Sequence, residues 1–143
     1  MSAEAGLLTS LWEPAFRHSA GRRGSQFIRA MRDGGRLLGW KTARLGVTVP
    51  PIDSGGLGEW VNVGPGASLI GYAPVDHAPS GEPADDTVLA AVKIDGADTM
   101  SYVRVACSDR KGLRSGMRLV ADFDATPASP SALPCFRSAA VSE

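Results

Sequence analysis

The residues able to do chemistry in this sequence are few and widely spaced. The chain of 143 residues holds two cysteines, Cys107 and Cys135, and two histidines, His18 and His77. A tetrahedral zinc site needs four such ligands, so all four residues would have to converge, and no Cys-x-x-Cys pair brings two of them together. Two free thiols are the expectation for an intracellular chain, with a single disulfide as the alternative.

Two of these residues also have a catalytic interpretation. His77 follows a predicted strand, and its imidazole could act as a general base near neutral pH, although a solvated loop histidine is the commoner case. Cys107 could act as a thiolate nucleophile, but the apolar strand before it favours a buried structural thiol. The sequence contains no Gly-x-Ser-x-Gly elbow and no phosphate-binding glycine loop. We therefore predict no catalytic residue and expect no activity from the chain on its own.

Basic and aromatic side chains are the better candidates for binding. Guanidinium groups bind phosphate in bidentate fashion, and aromatic residues dominate protein interfaces. Scattered surface charges and core aromatic residues would give the same pattern, and the sequence leaves these alternatives open. The candidates for a partner interface or for contact with coenzyme A are Trp40, Trp60, Arg104, Lys111, Arg114, Phe136 and Arg137.

Short strands must position most of these residues. Apolar, often β-branched residues alternate with others over Val88–Ile94, Met100–Ala106 and Arg118–Phe123, which predicts three strands. The first two are joined by Asp95-Gly96-Ala97-Asp98, which has the composition of a turn. Seventeen glycines and ten prolines add many further turns and favour a small closed β-barrel. Further strands are predicted at 37–41, 47–49, 59–63, 67–75 and 133–137.

Two helices are predicted ahead of the strands. The one nearer the strands covers Ser25–Arg32, with Ser25 as its N-cap, and a basic hinge, Gly21–Gly24, precedes it. Its apolar side could pack on the barrel or dock on a partner. The first helix is kinked by Pro14 and is predicted from the helical spacing of Leu7, Leu8, Leu11, Trp12 and Phe16.

Length and charge set further bounds. A chain of 143 residues suits one domain with an appendage. It carries fifteen basic and fifteen acidic residues, so it lacks the positive charge of a general nucleic-acid binder. No apolar run approaches the roughly 20 residues that cross a bilayer, and the N-terminus has no signal-peptide pattern. We expect a cytoplasmic protein.

Four blocks in fixed order resemble a known family. They span Phe27 to Arg137 and read FIRAMRDGGRLLGWKTARLGVTVPP, EWVNVGPGASLIGYAPVDHAP, VLAAVKIDGADTMSYVRV, and LRSGMRLVADF followed by LPCFR. The family consists of small bacterial and archaeal acyl-CoA-associated proteins that join a rubredoxin-like zinc ribbon to an OB-fold. The resemblance implies a mainly β fold with N-terminal helices over 1–34, a ribbon-like segment over 35–58, a five-stranded OB-fold barrel over 59–137 and a disordered tail over 138–143.

The sequence departs from the family pattern at the metal site. The family's ribbon carries one Cys-x-x-Cys-Gly knuckle before two prolines and a second knuckle after them. Here Thr42 and Leu45 occupy the first pair of positions, Gly46 is kept, and no cysteine lies between Ile52 and Glu59. Threonine and leucine do not supply the thiolates that zinc needs. We expect a degenerate ribbon without metal, held by the packing of Trp40, Trp60, Val47 and Val49.

The resemblance also implies a function as a subunit. Family members occur with thiolase-like enzymes, and some with hotdog-fold hydratases, and they stabilise the partner or complete its acyl-CoA channel. We expect an accessory subunit of a thiolase, acyltransferase or aldolase complex in lipid or polyketide metabolism, which forms or breaks a carbon–carbon bond next to a coenzyme A thioester. The expected assembly is a heterotetramer without cofactor, membrane or nucleic acid. The alternatives are a partner of an enoyl-CoA hydratase and an OB-fold that binds single-stranded nucleic acid.

Overall fold

Eight strands and one helix make up the part of the chain that the computed structural model describes, residues 9–11, 13, 15, 19–53, 55–75, 81, 87–106, 112–124 and 133–139. The strands form a three-stranded sheet in the order β2-β1-β3 and a closed barrel in the order β4-β5-β6-β8-β7. The elements are α1 (Gly21–Gly34), β1 (Leu37–Thr42), β2 (Gly46–Thr48), β3 (Gly58–Val63), β4 (Gly66–Pro74), β5 (Thr87–Ile94), β6 (Ser101–Ala106), β7 (Arg118–Asp122) and β8 (Cys135–Ser138).

The predicted fold class is confirmed. The chain is mainly β, with a helix ahead of a closed five-stranded barrel of the OB-fold type. Each predicted strand is present, with its ends within two residues of those expected. The last strand reaches Ser138, which pairs with Leu119 and so lies in the barrel and not in a disordered tail.

Helix α1 begins four residues earlier than predicted. The Gly21–Gly24 segment, expected as a hinge, forms the first turn, and Ser25 lies inside the helix instead of capping it. The N-cap residue Ala20 has no capping side chain, and the Ser19 hydroxyl accepts a hydrogen bond from the Gly21 N–H at 3.0 Å. Burial of Phe27 and Met31 also favours the helix here. At the other end, Gly35 takes the left-handed conformation that terminates helices.

The first predicted helix is not found where the structure describes that region. Residues 9–11, 13 and 15 are not helical, and Leu11 is 85 % exposed. The other apolar positions of that prediction, Leu7, Leu8, Trp12 and Phe16, lie outside the described residues. Within the described part of the chain, no helix has both the length and the apolar character that crossing a membrane requires.

The barrel interior is filled by alternate residues of its strands. On β5 the inward side chains are Val88, Ala90, Val92 and Ile94, as the alternation predicted. Phe136 of β8 is fully buried and stands opposite Val105 in the parallel pairing of β8 with β6. Because side chains occupy the interior, any ligand or partner must bind the outside of this barrel.

The three-stranded sheet extends one strand further along the chain than the predicted ribbon of 35–58. β3 pairs with β1 over its whole length, from Leu37 opposite Val63 to Thr42 opposite Gly58. The strand at 59–63, which was placed with the barrel, therefore belongs to the sheet of β1 and β2. We call this sheet the ribbon.

Hydrogen bonds to the β5–β6 turn tie the ribbon to the barrel. The Asp98 carboxylate accepts a hydrogen bond from the backbone N–H of Val47 at 2.8 Å, and the Asp98 N–H donates to the Val47 carbonyl at 2.8 Å. Val49, two residues after Val47, makes two further hydrogen bonds. Its carbonyl accepts from the Ser101 hydroxyl at 2.6 Å, and its N–H donates to the Thr99 hydroxyl at 3.1 Å. The turn thus fixes β2 and the residue after it.

Candidate functional site

Trp40 and Trp60 are brought together by the pairing of β1 with β3. They stand opposite each other, with ring centroids 5.0 Å apart in an edge-to-face arrangement. Trp40 is only 4 % exposed, whereas Trp60 is half-buried and donates its indole N–H to Gln26 of α1 at 3.1 Å. The two rings therefore hold α1 against the ribbon, and only Trp60 offers surface to a partner.

Arg23 of α1 completes this cluster. Its guanidinium carbon lies 3.7 Å from the ring centroid of Trp40, a cation–π contact, and its Nε lies 3.2 Å from a carboxylate oxygen of Asp53. Asp53 also accepts a hydrogen bond from the Gly55 N–H at 3.1 Å. That bond, and secondly the Arg23 charge, lower the pKa of Asp53. One side chain thus joins α1, β1 and the loop that follows the prolines.

The residues at the family's zinc positions do not fit the metal. The Thr42 hydroxyl accepts a hydrogen bond from the Leu45 N–H at 3.1 Å, so a side chain–backbone bond closes the turn that a knuckle would occupy. Leu45 has no donor atom, and the acid of the second segment, Asp53, is paired with Arg23. Among the described residues no three His, Cys, Asp or Glu side chains gather as a metal site. Zinc therefore enters no step of the function derived below.

The predicted basic residues do not form one continuous rim. Arg104 and Arg137 are exposed on the adjacent strands β6 and β8. Arg114 is exposed in the β6–β7 connection, which is bound to β4 through Ser115 and the Ile70 carbonyl at 2.9 Å. β5 separates β4 from β6, so Arg114 belongs to another part of the surface. Lys111 lies outside the described residues.

The remaining predicted residues divide between core and undescribed segments. Phe136 is part of the barrel core, so it is not a surface residue of this chain. Cys135 is a half-buried free thiol on β8. His18, His77 and Cys107 lie outside the described residues, and the predictions made for them remain predictions.

A groove between α1 and the ribbon holds two arginines that the sequence did not single out. It has a volume of about 500 Å³, and its lining includes Arg29, Arg36, Asp33, Leu38 and Trp60. The half-buried Trp60 lines the same groove as the two arginines. The spacing of Arg29 and Arg36 in the sequence does not indicate a binding site. The groove forms only when α1 packs on β1 and β3.

An ion pair fixes the turn end of the barrel. Arg118 of β7 pairs with Asp95 through both guanidinium nitrogens, one of them at 2.9 Å from the carboxylate, and the same nitrogen donates to Ser68 at 2.9 Å. The Arg118 hydrogen bonds lower the pKa of Asp95, and those to Asp95 raise the pKa of Arg118. Arg118 is therefore engaged within the chain and is not a candidate for binding phosphate.

The outward side of β4, β5 and β6 carries apolar residues that sequence reasoning left without a function. We call it the outer face. Cross-strand register places Gly71, Ala91 and Tyr102 in one row and Ala73, Leu89 and Arg104 in the next. Tyr102 is 65 % exposed and Leu89 is 48 % exposed. The alternation in β5 and β6 predicts that both point outward, but it does not indicate why an apolar side chain stands there.

Comparison with known proteins identifies the architecture. No protein-family model matches the chain, and no curated protein matches it. A solved structure described as "Ltp2-ChsH2(DUF35) aldolase" contains a similar chain, 22 % identical, with a TM-score of 0.59; the match covers 89 % of this chain and 99 % of the other. The chain has the DUF35 fold.

A second solved structure with the DUF35 fold supports the same assignment. It is a protein of unknown function from Sulfolobus solfataricus, 14 % identical, with a TM-score of 0.59, and the match covers 82 % of this chain and 86 % of the other. The resemblance inferred from the four sequence blocks is thereby confirmed at the level of the fold.

Proposed function

We propose that this chain is a non-catalytic accessory subunit of an aldolase or thiolase-like enzyme that acts on acyl-CoA. The observation that carries the proposal is the shared DUF35 fold: nearly the whole chain matches a chain from a DUF35 aldolase structure. The partner enzyme would supply the catalytic residues and form or break a carbon–carbon bond next to the thioester. This chain would stabilise that partner and shape the entrance for its substrate.

The distribution of side chains supports a function at the surface. Val92, Leu119 and Phe136 are fully buried and fill the barrel, which leaves the exterior for binding. The outer face offers exposed apolar side chains, as protein interfaces do. An assembly with two copies of each chain is the expected stoichiometry if the partner enzyme is a symmetric dimer.

The groove between α1 and the ribbon is the best candidate for contact with coenzyme A. Arg29 and Arg36 could bind its phosphates, and the adjoining indole of Trp60 could stack on its adenine. Arg104 and Arg137 are a second candidate pair, on adjacent barrel strands.

Co-expression tests the proposal. The tagged chain is expressed with thiolase-like enzymes and aldolases from the same genome, and the complexes are analysed by size exclusion with light scattering. We expect co-elution in a fixed ratio, no activity from the chain alone, and gain of activity or thermal stability in the partner. A chain that runs alone as a stable monomer beside every such enzyme would contradict the proposal.

Two alternative functions are tested by the same material. A hotdog-fold enoyl-CoA hydratase, included as a co-expression partner, would co-elute in place of the aldolase. Nucleic-acid binding is suggested by the exposed Tyr102 on a middle strand of an OB-fold barrel. It would appear as affinity for a single-stranded oligonucleotide that falls steeply with salt.

A further inference from the structure

We infer that the outer face, centred on Leu89 and Tyr102, is the surface that binds the partner enzyme. The identity of the partner rests on the proposed function, whereas the location of the surface rests on this chain's own geometry. The barrel is closed, so free strand edges are confined to the short stretches where β4 and β6 extend past their pairing with β7 and β8. A partner of the barrel must therefore pack on its outside.

Exposed apolar residues are concentrated on this face. Of the nine large apolar side chains that are exposed among the described residues, four lie on the outer face or at its margin. Ile70 stands at the bulge of β4 and Met100 immediately before β6, and each is 46 % exposed. Together with Leu89 and Tyr102 they give the outer face four exposed large apolar side chains, a concentration that is typical of a protein interface.

The centre of the outer face combines large and small residues. Leu89 and Tyr102 are its exposed large side chains, and Gly71, Ala73 and Ala91 are small residues in the same two rows. The space above Gly71 is open, since a methyl group placed on its Cα would meet no atom within 4 Å other than those of its chain neighbours. Small residues beside exposed large ones leave room for a protruding aliphatic or aromatic side chain of a partner.

The charges at the margins indicate what kind of molecule fits. The central rows contain no charged residue except Arg104 at one end, and Lys93 lies beyond the other end, opposite Ser68. A nucleic acid would require several cations along its phosphates, and the centre of the face supplies none. The face instead complements a folded protein surface that is apolar at its centre and carries a carboxylate at its border, opposite Lys93.

A matched pair of glycine variants tests the location. Gly71→Val adds a branched side chain beside Ala91 on the outer face, and neither its backbone conformation nor its surroundings oppose the larger side chain. Gly56→Val is the control, because Gly56 lies in the ribbon loop with equally open space around it. Leu89→Asp and its control Leu57→Asp, at a 97 % exposed loop position, form a second pair.

The probe is the thiolase-like enzyme or aldolase that co-elutes with the wild-type chain. By isothermal titration, Gly71→Val and Leu89→Asp are expected to weaken binding at least about tenfold, as loss of an interface hot spot does, while both controls bind like wild type. Circular dichroism and unfolding midpoints should be the same for each variant and its control, which separates loss of binding from loss of fold.

Each other outcome overturns the inference in a recognisable way. If the wild type binds the enzyme and Gly71→Val binds equally well, the partner uses another surface and the proposed function stands. If the wild type binds no such enzyme, both fail. If the chain alone forms a dimer that Leu89→Asp dissociates, the face binds a second copy. If a single-stranded oligonucleotide binds and Tyr102→Ser abolishes this, the face binds nucleic acid.

Discussion

The guanidinium group of Arg23 links two segments of the ribbon that a metal ion links in the zinc ribbons this sequence resembles. In those proteins the metal links the segments before and after the two prolines. Here Arg23 contacts Trp40 of the earlier segment and Asp53 of the later one. The cation comes from α1, so this link between the two segments is provided by the helix.

Replacing Arg23 should therefore destabilise the ribbon. Arg23→Ala removes the contact with the Trp40 ring, and we expect the free energy of unfolding to fall by about 1 kcal/mol, the typical value of a cation–π pair. Urea unfolding followed by tryptophan fluorescence measures it. Arg22→Ala, at the neighbouring exposed arginine, is the matched control and should have little effect. Equal losses for the two variants would show that Arg23 has no special role.

The Asp95–Arg118 pair predicts a pH dependence at the same scale. The pKa of Asp95 is lowered below its ordinary value of 3.8, chiefly by the hydrogen bonds from Arg118. The ionised carboxylate therefore stabilises the fold above pH 3.8, and this contribution is lost as the pH falls from there through the lowered pKa.

Asp95→Asn should be less stable than wild type at pH 6, and the difference should narrow as the pH falls below 3.8. Urea midpoints measured from pH 6 to pH 2 test this. Asp124→Asn, at an exposed aspartate after β7, serves as the control and should follow the wild-type curve. A difference between wild type and Asp95→Asn that stays constant with pH would argue against the ion pair.

At the scale of elements, the β5–β6 turn is a clamp for β2. The Asp98 carboxylate accepts from the Val47 N–H, and Gly46 beside it must lack a side chain, because a Cβ there would collide with this carboxylate. Gly46 also has a φ of 71°, in the left-handed region that favours glycine. The acidic turn noted in the sequence is thus explained by the hydrogen bonds it makes to another sheet.

Asp98→Ala should loosen this clamp. It leaves the Val47 N–H without its acceptor, which costs about 1–2 kcal/mol for a partly buried donor. Asp98→Asn keeps an oxygen acceptor and should restore most of the stability. Hydrogen exchange at Val47 gives the local measurement, with faster exchange expected in the alanine variant alone. Unchanged exchange in Asp98→Ala would mean that the backbone pairing suffices.

The contrast between predicted and unpredicted elements has a physical basis. Strand positions follow from local alternation, so β5 and β6 were predicted nearly to the residue. The predicted start of α1 was wrong because Gly21–Gly24 has the composition of a loop. The helix is stabilised by contacts with distant segments, namely the packing of Phe27 and Met31 and the contact of Arg23 with Trp40. The sheet to which 59–63 belongs depends on pairing with 37–42, a contact between distant segments that no local pattern indicates.

The candidate site was predictable only in part, for the same reason. The packing of Trp40 and Trp60 in the ribbon was predicted. The ion pair of Arg23 with Asp53 was not, because the two residues are thirty positions apart and no local pattern connects them. The outward direction of Leu89 and Tyr102 follows from the alternation of their strands. That the small residues Gly71 and Ala91 lie in the same row as Tyr102 follows only from the register of β4, β5 and β6.

At the scale of the whole molecule, Thr42 and Leu45 offer zinc no thiolate ligand, so the stability of the protein should not depend on zinc. Incubation with a chelator should leave the thermal unfolding midpoint unchanged, and added zinc should not raise it, because hydrogen bonds and the Arg23 contacts hold the ribbon. Metal analysis of the purified chain is the accompanying measurement. One equivalent of zinc, together with a lower midpoint after chelation, would refute this account.

The ribbon and the barrel should also unfold together. One hydrophobic cluster contains Phe27 of α1, Val47 and Val63 of the ribbon, and Ile94 and Leu119 of the barrel, so the core of the ribbon is continuous with that of the barrel. Tryptophan fluorescence reports the ribbon through Trp40 and Trp60, once Trp12→Phe removes the third indole, whereas far-ultraviolet circular dichroism reports all strands.

We expect the two signals to change at the same urea concentration in the wild-type chain. In Asp98→Ala the fluorescence transition should move to lower urea before the circular dichroism transition, because the clamp that couples the sheets is weakened. Separate transitions already in the wild type would mean that the ribbon folds independently of the barrel. In that case α1 and the ribbon could move on the barrel when a partner binds the outer face, and the matched glycine variants would report binding by the barrel alone.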